Sequence, residues 1–274
     1  MECKVRDITM YYEQAGAGRP LLLLHGKPLD HRSMANDMEP LFADRSGWRR
    51  LYPDLPGMGK TRAADWITHQ DQMLDLLIDF IDAVVPGERL VVAGASYGGY
   101  LARGLVHHCG SRIDGLLLNV PLVEAEAAKR RLPQPRVVHE DPAFLAALAP
   151  DEQDLREFIV AQSMDLLAEF RRSILPAFEI ADHAFLQRFE GQPAFSFDVD
   201  TLPAPFPAPA LFLTGRHDSW CGYEDAYRLL DSYPRASFAV LDRAGHSLAT
   251  EQKTLFRALV SEWLDRVEEY APIG

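Results

Sequence analysis

Short apolar runs alternate with longer amphipathic segments along much of the chain. The run from Leu21 to Leu24 is apolar on both faces, which is typical of a strand covered by helices on each side. Over residues 69–85, apolar side chains recur at three- and four-residue steps and predict a helix. This alternation predicts a doubly wound, mostly parallel sheet. The other elements predicted in this way are two short strands within 3–13, strands at 49–53, 90–94, 115–120, 210–214 and 237–241, and helices at 34–43, 98–109, 223–231 and about 250–269.

The alternation breaks between residues 123 and 207. This stretch carries helix-like segments at 151–171 and 181–190, scattered prolines and no convincing buried strand. We therefore predict a helical cap at 123–207, inserted into a core formed by 1–122 and 208–274. Seven large apolar side chains of the cap are expected to serve mostly its own packing: Phe144, Phe158, Met164, Phe170, Phe178, Phe185 and Phe189.

Composition narrows the class of protein. Of the 274 residues, 47% are hydrophobic and 25% are charged, which is ordinary for a soluble globular enzyme. The net charge of −12, without a basic stripe, argues against a nucleic-acid partner. The chain shows no apolar run long enough for a membrane span and no secretion signal at its start, so we expect a cytoplasmic protein without a membrane partner. Cys3, Cys109 and Cys221 fit no disulfide or metal spacing and are expected to be free thiols.

The sequence Gly-Ala-Ser-Tyr-Gly-Gly at residues 94–99 directly follows a predicted strand and opens a predicted helix. A nucleophile elbow has this pattern, with one strained residue at the apex of a sharp turn, here Ser96. Gly94 and Gly98 would allow the strand and the helix to pass closely without Cβ clashes. The alternative is an ordinary glycine-rich turn in which Ser96 is only a small packing residue.

A carboxylate and an imidazole follow the last two predicted strands. Asp218 comes just after strand 210–214, and His246 lies in the loop after strand 237–241. A serine hydroxyl needs such a base, held by an acid, to become a nucleophile. Asp225 competes for the role of the acid but lies inside a predicted helix. Asp218 as a helix N-cap and His246 as a structural imidazole remain the alternatives.

Five motifs in order make the chain resemble the α/β-hydrolase superfamily, and within it the capped, esterase-like members. The resemblance spans roughly residues 8–122 and 208–270 and implies an eight-stranded, mostly parallel sheet with a helical cap, and neither a cofactor nor a metal. The motifs are His25-Gly26, Asp54-x-Pro56-Gly57-x-Gly59, Gly94-x-Ser96-x-Gly98, Gly215-x-x-Asp218 and Gly245-His246.

The resemblance also implies a role for each site residue. Ser96 would attack a carbonyl carbon, His246 would take its proton, and Asp218 would orient the imidazole. The backbone N–H groups of Lys27 and Tyr97 would form the oxyanion hole.

Two further motif residues are implied to be supports. The His25 side chain, with Gly26 beside it, would buttress the oxyanion loop and take no part in the chemistry.

Residues next to the predicted nucleophile and base indicate the reaction class. A serine at the elbow disfavours haloalkane dehalogenases and epoxide hydrolases, which use aspartate there, and Tyr97 stands where proline-specific aminopeptidases usually carry Trp. Hydrolases of carbon–carbon bonds in aromatic ring-cleavage products commonly have Asn and Trp where this chain has Ala95 and Ser247. We therefore expect a hydrolase of a small or medium carboxylic ester. The carbon–carbon hydrolase and a small-ligand receptor of the same fold stay open.

Overall fold

The computed structural model describes residues 1–189, 191 and 193–270. Its eight strands form one sheet in the order β1-β2-β4-β3-β5-β6-β7-β8. The first two strands pair antiparallel with their neighbours, and all pairs from β4 to β8 are parallel. The predicted eight-stranded, doubly wound sheet is thus confirmed. The strands are β1 (Glu2–Val5), β2 (Ile8–Ala15), β3 (Arg19–Leu24), β4 (Trp48–Pro53), β5 (Leu90–Ala95), β6 (Ile113–Asn119), β7 (Ala210–Gly215) and β8 (Ala236–Leu241).

Helices cover both faces of the sheet and fill the segment between β6 and β7. None of them, in the part of the chain that the structure describes, is both long and apolar enough to cross a bilayer. They are α1 (His31–Met38), α2 (Gln70–Val84), α3 (Tyr97–Cys109), α4 (Pro142–Ala147), α5 (Leu155–Phe158), α6 (Met164–Glu169), α7 (Leu175–Ile180), α8 (His183–Phe189), α9 (Tyr223–Tyr227), α10 (Leu248–Glu251) and α11 (Lys253–Glu269).

The central strands are buried on both faces because successive side chains point to opposite sides. Leu22 and Leu24 of β3 pack on one side with α2 and α3, whereas Leu21 and Leu23 pack on the other with α1 and α11. All four leucines are completely buried. This two-sided burial explains why the run of leucines reads as a covered parallel strand.

The predicted core elements agree with the structure to within a few residues, with two differences. The helix predicted at 34–43 begins earlier, because the Asp30 side chain accepts a hydrogen bond from the Arg32 amide and caps α1 at His31. The helix predicted at 250–269 is broken at Gln252, whose backbone is not helical, and so becomes α10 and α11.

The single helix predicted over 151–171 is wrong. After α5 the backbone is extended, and the amides of Val160 and Ala161 donate to the Glu251 carboxylate, far away in the sequence. The chain becomes helical again only at α6, where the Ser163 hydroxyl accepts from the Leu166 amide. A tertiary carboxylate thus replaces the intrahelical partners of these amides.

The helix predicted at 181–190 corresponds to α8, and the end of that prediction at Glu190 lies outside the described residues. Phe144 packs in a small cluster of the inserted segment with Leu155 and Leu167. The expectation that the large apolar residues pack within the cap is wrong for Phe185 and Phe189, which join the main core, and for Met164 and Phe178, which are exposed. The division into 1–122 with 208–274 and 123–207 as separate domains stays a prediction.

Candidate active site

Ser96 lies at the sharp turn between β5 and α3. Its φ of 51° and ψ of −115° are unusual for a residue with a side chain, and such backbone strain costs about 1–3 kcal/mol. Two hydrogen bonds hold the turn: the Ser96 amide donates to the Asn119 carbonyl over 3.0 Å, and the Leu122 amide donates to the Ser96 carbonyl over 2.9 Å. The serine is thus fixed at the carboxyl edge of the sheet with a backbone expected of an elbow.

Glycines make this turn sterically possible. A Cβ at Gly94 would overlap the Gly98 carbonyl, and a Cβ at Gly98 would overlap the Leu24 carbonyl at the end of β3. A Cβ added at Gly26 would come within 3.2 Å of the Ser96 Cβ, so the loop after β3 runs directly beside the serine. All three glycines predicted to be structural supports therefore lie where two segments of the chain pass closely.

Asp218 and His246 come together in the loops after β7 and β8. Asp218 Oδ2 lies 2.9 Å from His246 Nδ1. The other carboxylate oxygen accepts hydrogen bonds from the amides of Trp220 and Cys221, both at 2.9 Å, and the Asp218 side chain is completely buried. A carboxylate fixed in this way holds a proton on Nδ1 and leaves the lone pair of Nε2 available as a base.

Asp225, the competing acid, has other partners. It accepts a hydrogen bond from the Arg131 amide at 3.0 Å and forms an ion pair with Arg228 at 2.6 Å. Within the described residues, no hydrogen bond joins Asp225 to the His246 imidazole. The role of Asp218 as the acid stays a prediction, which its 2.9 Å contact with His246 supports.

The Ser96 hydroxyl interacts with the thiol of Cys221. Within the described chain, no hydrogen bond of ordinary geometry joins this hydroxyl to the His246 ring. Sγ of Cys221 also lies within 4.8 Å of a ring nitrogen of His246 and of a carboxylate oxygen of Asp218. All three predicted catalytic side chains therefore surround one thiol. Burial raises the pKa of the Cys221 thiol, so it stays protonated and is a poor nucleophile.

Sequence reasoning missed the place of Cys221. Its spacing from the other two cysteines says nothing about a site, since its neighbours there are a serine, an aspartate and a histidine. The signal that could have found it is its position three residues after Asp218, in the same loop beyond β7.

His25 is a support for the loop beside Ser96. Its side chain is completely buried, with Nδ1 2.8 Å from the Gly26 carbonyl and Nε2 accepting from the Leu55 amide over 3.0 Å. Burial lowers the pKa of His25, and a neutral ring with its proton on Nδ1 satisfies both bonds. This arrangement fits the structural role expected of His25.

Two backbone amides were predicted to form the oxyanion hole. Tyr97 is the first residue of α3, so its amide lies at the positive end of a helix. The Tyr97 side-chain hydroxyl donates a 2.7 Å hydrogen bond to Gln70. Lys27 follows Gly26 in the loop that runs beside Ser96. The use of both amides as oxyanion donors stays a prediction.

The Glu251 carboxylate ties the loop of His246 to the inserted segment. It accepts from the amide of Gly245 at 2.6 Å, from that of Val160 at 2.8 Å and from that of Ala161 at 3.2 Å. Burial raises the pKa of Glu251, whereas the three amides oppose that shift. Sequence reasoning did not single out this residue, because its partners are distant in the chain.

Two aromatic rings extend from the imidazole toward the inserted segment. The Trp220 ring lies 5.1 Å from that of His246 between centroids, and Phe158 of α5 lies 4.6 Å from Trp220. About half of Trp220 is exposed (51%). The approach to the imidazole is therefore apolar on this side.

Among the residues that the structure describes, two groups of side chains have donor types suited to a metal. One is Asp218, Cys221 and His246; the other is Asp30, His31 and Asp54. In the second group the carboxylates already have structural partners. Asp30 caps α1 and pairs with Arg32, and Asp54 accepts from the His31 amide, its ring and the Lys60 amide. These bonds anchor the Asp-x-Pro-Gly loop.

The comparisons with known proteins concern the family and the fold. The sequence model of the alpha/beta hydrolase family matches residues 21–258. The chain is 25% identical to 2-hydroxy-6-oxononadienedioate/2-hydroxy-6-oxononatrienedioate hydrolase 2 of Pseudomonas putida, covering 94% of this chain and 92% of that protein. An alpha/beta superfamily hydrolase from Oenococcus oeni PSU-1 superposes with a TM-score of 0.87 at 25% identity, covering 98% and 99% of the two chains. A thermophilic esterase from Thermogutta terrifontis shares the fold, with a TM-score of 0.67, 22% identity and coverage of 95% and 94%.

Proposed function

The chain belongs to the α/β-hydrolase family, and from that membership we propose that it cleaves a small or medium carboxylic ester through an acyl-enzyme on Ser96. The observation that carries the proposal is the 2.9 Å bond between Asp218 and His246, at the same sheet edge as Ser96. An oriented imidazole beside a strained serine is what nucleophilic catalysis requires.

In the first half of the reaction the Ser96 hydroxyl turns about its Cα–Cβ bond, away from Cys221 and toward His246. Its oxygen attacks the ester carbonyl carbon while Nε2 of His246 takes its proton. The negative charge on the carbonyl oxygen is stabilised by the amides of Tyr97 and Lys27. When the C–O bond to the leaving group breaks, the imidazolium returns the proton to the departing alcohol.

In the second half a water molecule takes the place of the alcohol. His246 removes a proton from the water, whose oxygen attacks the acyl carbon, and the bond to the Ser96 oxygen breaks as that oxygen regains the proton. The products are a carboxylic acid and the free enzyme. Asp218 stays ionised throughout and stabilises the imidazolium.

The surroundings of His246 favour a partly apolar substrate. Trp220 and Phe158 supply apolar surface beside the imidazole. Such rings favour an aliphatic or aromatic group next to the scissile bond. No cofactor or metal is needed for any step above.

Hydrolysis of a carbon–carbon bond is the second candidate. The Pseudomonas putida relative is named as a hydrolase of a 2-hydroxy-6-oxo dienedioate, and the same serine, acid and histidine could serve such a reaction. Ala95 and Ser247, in the places where these hydrolases commonly carry Asn and Trp, favour the ester instead.

The test measures the turnover of p-nitrophenyl acetate, p-nitrophenyl butyrate and a 2-hydroxy-6-oxo dienoate. Each substrate is given to the wild type, to Ser96→Ala and to a control variant, Ser237→Ala. Ser237 is exposed, at the start of β8. We expect ester turnover to fall about 10⁶-fold in Ser96→Ala and to be unchanged in the control.

Faster turnover of the dienoate than of both esters would replace the proposal with the second candidate. No turnover of any substrate by the wild type, together with tight binding of a small ligand, would indicate a receptor and overturn both.

A further inference from the structure

Cys221 gives the proposed active site a donor that ester hydrolysis does not use. It is 5% exposed, whereas Cys3 and Cys109 lie elsewhere and are less buried. Its sulfur, a nitrogen of His246 and an oxygen of Asp218 lie within 4.8 Å of one another. A thiol, an imidazole and a carboxylate are the three donor types that Zn²⁺ takes in proteins.

We propose that Asp218, Cys221 and His246 form a binding site for a thiophilic divalent cation, with Zn²⁺ as the best match, and that the bound cation switches the hydrolase off. The binding is independent of the proposed function, whereas the inhibition rests on it. The site would be three-coordinate from the protein, with a fourth position left for water or the Ser96 hydroxyl.

The distances are close to those that coordination needs. Bonds of about 2.0–2.3 Å from zinc in a tetrahedral arrangement place the ligand atoms about 3.5 Å apart. The oxygen–nitrogen pair, now at 2.9 Å, has to open slightly, and the sulfur, within 4.8 Å of both atoms, has to approach by no more than about 1.3 Å. Rotation of the Cys221 and His246 side chains supplies such shifts, and the two amides on the far oxygen of Asp218 keep its second oxygen directed at the site.

Charge and protons balance in this step. The thiol loses its proton to solvent as the sulfur–metal bond forms, so a thiolate and the Asp218 carboxylate neutralise the two charges of the cation. If the cation takes Nδ1 of His246, the proton on that nitrogen passes to Nε2; if it takes Nε2, the ring keeps its Nδ1 proton. The imidazole is neutral in both cases, and no lone pair remains to accept the proton of Ser96.

Accessibility supports a site that a small ion can reach. Asp218 and Cys221 are buried, but the His246 side chain is 14% exposed and lies beside the half-exposed Trp220. The second cluster, Asp30, His31 and Asp54, offers no comparable site, because it lacks a thiol and its Asp30 is paired with the positive charge of Arg32.

The first experiment measures metal binding without turnover. Wild-type protein is treated with a chelator, dialysed and titrated with Zn²⁺ by calorimetry, and separately with Co²⁺ while its absorption spectrum is recorded. We expect one Zn²⁺ per chain and a near-ultraviolet charge-transfer band of thiolate-bound Co²⁺. Cys221→Ser and Cys221→Ala should lose the band and bind Zn²⁺ about 100-fold more weakly, whereas Cys109→Ser should behave as the wild type.

Ser96→Ala separates this proposal from the proposed function, since it should keep stoichiometric Zn²⁺ binding while losing hydrolysis. In the wild type, Zn²⁺ should inhibit ester turnover with the affinity found by calorimetry, and a chelator should restore it. The proposal is overturned by the absence of stoichiometric Zn²⁺ binding in the wild type, or by a cobalt–thiolate band that survives in Cys221→Ala.

Discussion

The sheet and the inserted segment at 123–207 are held in place by different kinds of interaction. The sheet is stabilised by continuous apolar burial on both faces, as in Leu21 to Leu24. The inserted segment packs on the core through apolar side chains such as Phe185 and Phe189, and single polar side chains also reach it from the core. Buried Arg103 of α3 donates to the carbonyls of Leu122 and Val123 at the start of the segment and pairs with Asp200 near its end.

This difference has a consequence for the proposed active site. Ser96 is positioned by elements of the core, through the close packing of β5 on α3 and the hydrogen bonds of its backbone with Asn119 and Leu122. The loop of His246, in contrast, is joined to Val160 and Ala161 by the carboxylate of Glu251. The position of Ser96 should therefore be insensitive to changes in the inserted segment, while that of His246 should respond to them.

The largest expected effect comes from crowding the elbow. In Gly98→Ala the new Cβ meets the backbone of Leu24, and neither β3 nor α3 can move without disrupting the sheet. We expect a loss of about 5 kcal/mol or more in the free energy of unfolding, measured by urea denaturation, so that little folded protein remains.

Gly110→Ala is the matched control, since a Cβ there meets no heavy atom of the described chain within 4 Å. A well-folded, stable Gly98→Ala protein would show that the elbow is looser than the structure indicates.

A pair of leucine truncations compares the two regions directly. Leu213 of β7 and Leu167 of α6 are both completely buried, the first in the main sheet and the second in the small cluster of the inserted segment. We expect Leu213→Ala to cost about 3–5 kcal/mol of global stability and Leu167→Ala about 2–3 kcal/mol.

Hydrogen exchange measured by mass spectrometry locates each effect. Leu167→Ala should raise exchange mainly in α4 to α6, because a small cluster opens locally, whereas Leu213→Ala should raise it throughout the sheet. Uniform loss of protection in both variants would contradict the distinction between the two regions.

The smallest of these effects is expected at Glu251, whose carboxylate connects the His246 loop to the inserted segment. In Glu251→Gln one acceptor oxygen becomes an NH₂ group that faces backbone donors, which costs about 1–2 kcal/mol of stability. Because the His246 loop also loses a partner, we expect kcat for ester hydrolysis to fall about tenfold.

Glu262→Gln on α11 removes an exposed ion pair with Arg266 and serves as the control, with both quantities nearly unchanged. An unaltered kcat in Glu251→Gln would mean that the His246 loop does not depend on the inserted segment.

The comparison of the two regions also explains what the sequence could predict. Strands were found because burial on both faces leaves a local signal in runs such as Leu21 to Leu24. The elbow was found because Gly94 and Gly98 are required by contacts within a few residues or with the neighbouring strand. The preference for Asp218 over Asp225 followed from its place at a strand end.

What the sequence could not predict depends on contacts between distant segments. The helix predicted over 151–171 fails where Glu251 binds the amides of Val160 and Ala161, and helical periodicity carries no trace of that carboxylate. Phe185 and Phe189 have the same apolar character as Phe144, yet only the folded chain shows that they belong to the main core. The place of Cys221 beside Ser96 is likewise visible only in three dimensions.

The central claim, that His246 activates Ser96, is tested most directly by labelling with a fluorophosphonate. Mass spectrometry of the intact protein and of its peptides should show one adduct on Ser96 in the wild type and none in Ser96→Ala. In His246→Ala the labelling rate should fall about 10³-fold, since the hydroxyl has lost its base. An adduct on another residue, or a rate in His246→Ala equal to that of the wild type, would contradict the account.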